Sequence, residues 1–192
     1  IIANPRSIRK RWKPEIGKKL FIFKGAGGTG KTIRLLQLAH DTYHNTNKKV
    51  ILLTYNWALI SNLRRLMVLM GIKPLSEEGS GVEIMSVMKY MITILKSYGL
   101  IKKHDDLLEV YEKRINEFKN YISEEALPVE ELRNEARRKI FKLQQDKGIF
   151  HYAFIDEGQD WLPAEAFIIE KIFGPENVVV AHGTHQQTRG PE

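Results

Sequence analysis

Eight consecutive residues, Gly25-Ala26-Gly27-Gly28-Thr29-Gly30-Lys31-Thr32, satisfy the pattern G-x-x-x-x-G-K-[ST] at every fixed position. Such a loop grips the phosphates of a nucleoside triphosphate through backbone N–H groups, a lysine and a hydroxyl. Lys31 would reach the β- and γ-phosphates, and Thr32 would take a place at Mg²⁺. Far along the chain, Asp156 and Glu157 follow the apolar run Tyr152-Ala153-Phe154-Ile155. Asp156 suits the acceptor that holds the water ligands of Mg²⁺, and Glu157 is placed to orient or deprotonate an attacking water.

Chemistry at these positions requires elements that bring them together. Leu20-Phe21-Ile22-Phe23 predicts a buried strand, and Lys31 to about His44 a helix with Leu35, Leu36, Leu38 and Ala39 along one side. A strand, a glycine turn and a helix N-terminus supply convergent amides and a favourable dipole for an anion. Val50–Leu53, Val82–Ser86, Tyr152–Ile155 and Val178–Ala181 read as further strands. Helical spacing falls at Ile60, Leu63, Met67 and Met70, at Val87–Leu95, and at Pro163–Phe173. The expected fold is α/β, a parallel sheet with helices on both faces. Acids at the carboxyl end of a strand then stand where such sheets bind ligands.

Between Lys96 and Gly148 the alternation lapses. Leu108, Tyr111, Ile115, Phe118 and Ile122, then Leu132, Ala136, Ile140 and Leu143, predict two amphipathic helices without a strand between them. The expected organisation is a basic segment over 1–24, an α/β core over 20–95 and 149–192, and a helical insertion over 96–148.

Composition narrows the class. A hydrophobic fraction of 43% with 28% charged residues describes a globular chain, and no apolar run is long enough to span a bilayer. No stretch has the layout of a signal peptide. The absence of cysteine excludes disulfides and thiolate metal sites, and fits a cytoplasmic setting. The net charge of +7 lies entirely in residues 1–24, where eight basic side chains face one acid. That segment is either a salt-sensitive arm for nucleic-acid phosphates, a solvated leader, or a strip covered by acidic surface. The chain begins at Ile1 rather than Met, which predicts a piece of a longer protein.

Asp156-Glu157-Gly158-Gln159-Asp160 resembles the D-E-A-Q-D motif of superfamily 1 helicases, the UvrD/Rep-like branch in particular, with Gly158 in place of Ala. Its first motif is similar to the glycine loop. Thr54-Tyr55-Asn56-Trp57-Ala58-Leu59 resembles the segment that in the family lies against single-stranded DNA, and Met85-Ser86-Val87-Met88 stands where another strand-contacting motif is found. Gly183-Thr184-His185-Gln186-Gln187 resembles a G-D-x-x-Q segment, which would make Gln187 the sensor of the γ-phosphate. Spanning residues 20 to 190, the resemblance implies a P-loop, RecA-like ATP-binding motor domain with a helical insertion. It implies ATP and Mg²⁺ as cofactors, single-stranded DNA as partner, and a second RecA-like domain elsewhere in the polypeptide. Two departures stand out: residues 1–24 hold no glutamine to read adenine, and Ile33 occupies the place of a base-stacking arginine, with Arg34 one position on.

Tyr55 and Trp57 would stack bases, or Trp57 would begin a helix and pack inward. Gln159 would link nucleotide state to nucleic-acid grip, or cap the next helix. Arg64 and Arg65 read as a solvated helix face, and His182 with His185 do not make a metal site. Three functions follow: a helicase motor domain, a P-loop ATPase acting as a switch without unwinding, or a binding module with a vestigial site.

Overall fold

A computed structural model describes residues 16–72, 81–124, 131, 134 and 150–183. Its elements run β1 (Phe21–Gly25), α1 (Lys31–Thr46), β2 (Val50–Thr54), α2 (Trp57–Leu69), β3 (Val82–Ser86), α3 (Val87–Ser97), α4 (Leu107–Glu124), β4 (Tyr152–Ile155), α5 (Pro163–Phe173) and β5 (Val178–Gly183). The five strands form one sheet in the order β1-β5-β4-β2-β3, with every neighbouring pair parallel. The α/β class and the parallel sheet expected from the alternation are present. The helix expected over Leu132–Leu143 (Asn134 apart), most of the basic segment, and Thr184 to Gln187 lie outside the described residues.

Chain direction decides which face each helix covers. From β1 the chain moves across the sheet to β2 and on to β3, so right-handed crossovers put α1 and α2 on one face. From β3 it returns to β4 and then β5, which puts α3, α4 and α5 on the other. Side-chain alternation follows this division. Val50 and Leu52 pack with Leu35, Leu36 and Ala39 of α1 and with Leu63 and Met67 of α2. Ile51 and Leu53 pack with Met91 and Ile94 of α3, Phe118 of α4 and Ile168 of α5. β2 is therefore buried at all five positions, which explains its unbroken apolar run.

α4 belongs to that second layer. Tyr111, Ile115, Phe118 and Ile122 are all buried in the same cluster as the sheet face and α5. Each fully buried side chain of this size contributes roughly 1.5–3 kcal/mol. Four of them make this half of the expected insertion part of the main core.

Tight joints hold the helices at the strand ends. Asn56 Oδ1 accepts from Leu59 N at 3.2 Å to cap α2, and Ser86 Oγ accepts from Lys89 N at 3.2 Å to cap α3. Among the described residues no helix is long and apolar enough to cross a membrane.

Candidate functional site

Because all strands are parallel, the carboxyl ends of β1, β2, β4 and β5 lie along one edge of the sheet. The Gly25–Thr32 segment joins β1 to α1 there. Gly28 and Gly30 have φ of 72° and 76°, a left-handed backbone that glycine adopts without a Cβ penalty. No side chain caps α1 and its first turn holds no acid, so its leading amides face no competing anion of their own helix. Lys31 is buried, and its Nζ donates to Ala26 O at 3.0 Å. Thr29 Oγ1 donates to the same carbonyl at 2.9 Å, which closes the loop on itself.

β5 lies between β1 and β4, so the glycine loop and Asp156 leave strands about 10 Å apart. The first turn of α1 bridges that gap. Thr32 Oγ1 donates to Asp156 at 3.1 Å from Oδ1 and 3.0 Å from Oδ2. Asp156 is fully buried. Burial, against the opposing Thr32 hydrogen bond and with the repulsion of Glu157 added, pushes its carboxyl from the ordinary 3.8 up to about 6. A buried carboxylate held by a hydroxyl is an acceptor for a cation. Since Thr32 gives its one proton to Asp156, its lone pairs remain for a metal. These residues fit Mg²⁺, which takes one or two protein oxygens and completes its shell with phosphate and water. Among the described residues no group of three or more His, Asp or Glu could cage an ion.

Glu157 has φ 49° and ψ 52°, left-handed for a residue with a Cβ. That conformation costs on the order of 1 kcal/mol, and Gln159 helps to hold it. The Gln159 amide donates through Nε2 to Glu157 Oε2 at 2.7 Å and accepts through Oε1 from Gly183 N at 2.6 Å. Gln159 sits inside a 3-10 turn rather than capping a helix, and ties the acidic pair to the end of β5. Beside it, a Cβ on Gly158 would meet Val180 Cγ1 at 2.4 Å. Val180 thus accounts for glycine at this position. Gly158→Ala is expected to destabilise the protein by about 1–3 kcal/mol. Adding Val180→Ala to it should recover part of that loss although Val180→Ala alone is unfavourable, an opposing coupling readable by urea unfolding of the four-member cycle.

The remaining expected contacts divide. Thr54 is fully buried and its Oγ1 accepts from Asn56 N at 3.2 Å, so it has no surface to offer a polynucleotide. Tyr55 turns inward: its hydroxyl bonds Glu165 Oε2, and its ring stands edge-on to Trp161 at 6.1 Å. Asn56 is exposed and spends its side-chain oxygen on the α2 cap. Trp57 begins α2 without packing inward and is 63% exposed. Ile33 is exposed and Arg34 half-buried at the start of α1. Arg64 is not merely solvated, since its Nη2 donates to Ile84 O at 3.0 Å. Glu165 joins the polar framework without having been singled out from the sequence, and so does the hydroxyl of Tyr111, a residue whose spacing marked it only for the apolar side of a helix. Glu165 had one local signal, a glutamate three places after the residue that precedes a helix.

No protein-family model matches the chain, and no curated protein matches it.

Proposed function

We propose that the chain is a phosphate-loop nucleotide hydrolase whose triphosphate lies along the carboxyl edge of the sheet, between the Gly25–Thr32 loop and Asp156. Within that class, we read it as the ATP-binding RecA-like motor domain of a UvrD/Rep-like superfamily 1 helicase, working on single-stranded DNA together with a second such domain. The observation that carries the first step is the Thr32–Asp156 hydrogen bond, which unites the two halves of the motif pair at one point. The second step rests on the resemblance of Asp156–Asp160 and Thr54–Leu59, and on the exposed Trp57 beside that edge.

In this reading Lys31 and the loop amides neutralise phosphate charge, and Thr32 with Asp156 would hold Mg²⁺. The bound ion would supply charge neutralisation at the β- and γ-phosphate oxygens. Glu157 orients a water for in-line attack on the γ-phosphorus and takes its proton as the bond to the β–γ bridging oxygen breaks. Gln159 holds the Glu157 carboxyl in place for that step.

A fluorescent ATP analogue titrated with Mg²⁺ present tests the class. Losing the Lys31 contacts in Lys31→Ala is expected to raise Kd about 10–100-fold. Wild-type affinity in that variant would end the reading. Stimulation of hydrolysis by an oligo-dT strand, in the polypeptide that carries both motor domains, tests the helicase step. A flat response favours a nucleotide switch without unwinding.

A further inference from the structure

The one fully buried carboxyl on α5, Glu165, takes no part in the chemistry above, yet three donors converge on it. Oε2 accepts from the Tyr55 hydroxyl and from Leu162 N at 3.0 Å, and Oε1 accepts from the Tyr111 hydroxyl at 2.5 Å. Those donors come from three places: the connection after β2, the turn that follows the acidic pair, and α4. Burying a carboxyl costs stability unless every lone pair is used, and an apolar side chain would fill the same space more favourably. What a carboxyl adds is direction. It fixes where the Tyr55 ring lies against Trp161, five residues beyond Asp156. Trp57, exposed at the start of α2, is two residues from Tyr55.

We propose that Glu165 is a positioning residue: through Tyr55 it fixes the Tyr55–Trp57 connection, so that Trp57 is presented to a single-stranded polynucleotide in a set relation to the Asp156–Glu157 turn. The polynucleotide part rests on the function proposed above.

The pair of phenols on one carboxyl supplies its own control. Tyr55→Phe keeps the ring on Trp161 and removes the bond to Glu165, whereas Tyr111→Phe removes the other phenol and leaves the Tyr55–Glu165 bond in place. Hydrogen exchange of peptides covering residues 54–60 is measured in wild type and both variants, alongside binding of a fluorescein-labelled 20-mer of oligo-dT. Tyr55→Phe is expected to accelerate exchange in 54–60 about tenfold, as for loss of one hydrogen bond from a local opening. It is also expected to weaken oligo-dT binding roughly 3- to 10-fold, with Tyr111→Phe at wild-type values in both. Equal acceleration in the two variants, or none in either, overturns the positioning role, because a generally loosened core moves both alike. Wild-type protein that fails to bind oligo-dT overturns the polynucleotide reading, while the exchange contrast still decides the anchoring.

Discussion

Replacing Asp156 with asparagine is expected to yield a protein that melts higher and binds magnesium–nucleotide far more weakly. The Asp156 carboxyl is fully buried, and burial lifts it from 3.8 to about 6. A raised acid favours the folded state while it is protonated in both states, and that advantage is lost as pH climbs from about 4 through about 6. At pH 7.5 wild type therefore carries the cost of a buried charge, on the order of 3 kcal/mol for a shift of this size. Asparagine keeps an acceptor for Thr32 without the charge. After allowance for its own burial, a gain of about 1–2 kcal/mol is expected, or about 2–8 °C in Tm. That gain should shrink as pH falls through about 6 and turn into a deficit of about 1–2 kcal/mol below about pH 4, where wild type no longer carries the charge. Mg²⁺-dependent nucleotide affinity is expected to fall about 10–100-fold in the variant. In wild type it should fall as pH drops below about 6 and the carboxyl takes up its proton. Calorimetric scans across that pH range, with matched titrations of a fluorescent nucleotide, check both halves. A variant that melts lower at pH 7.5 would show that the hydrogen bonds of Asp156 outweigh its desolvation.

Glu157→Gln is expected to separate binding from turnover. The Glu157 carboxyl is held by Gln159 Nε2 at 2.7 Å on a backbone fixed in the left-handed region, so a neutral isostere can occupy the same place. Losing a positioned base lowers hydrolysis about 10²–10⁴-fold. Nucleotide Kd should stay within about threefold of wild type, because a group that acts mainly on the attacking water contributes little to the ground state. Phosphate release at saturating nucleotide reads the first quantity and equilibrium binding the second. Retained turnover would assign proton abstraction to another group.

Much of the fold was legible because burial on two faces leaves a plain mark. The strands at Val82–Ser86 and Tyr152–Ile155 and the helix at Pro163–Phe173 coincide with the apolar runs that predict them. Strand order was not legible, since an apolar run records that a strand is covered and not what lies beside it. Nor could the run show that β5 would separate the loop strand from the acid strand. Within the site, Thr32 and Asp156 were nameable because loop and acid carry their own spacing. The inward turn of Tyr55 was not, because its partner Glu165 lies on another element and leaves no local pattern at residue 55. Nothing local to residue 158 signals why it is glycine, because Val180, which occupies the space of the missing Cβ, lies on β5.

The strand that leads into the glycine loop lies at the margin of the sheet, and among the described residues β5 is its sole strand neighbour. Phe21 faces Val179 and Gly25 faces Gly183, so the earliest and latest strands of the described chain are zipped to each other. Fraying of that ribbon would release the cradle while β4, β2 and β3 stayed packed, and such partial openings are easier than global unfolding. A ligand gripping Thr32 and Asp156 at once would act as a clasp across the seam. Occupancy and the integrity of that margin would then form a single equilibrium, with ligand concentration setting how often the seam opens.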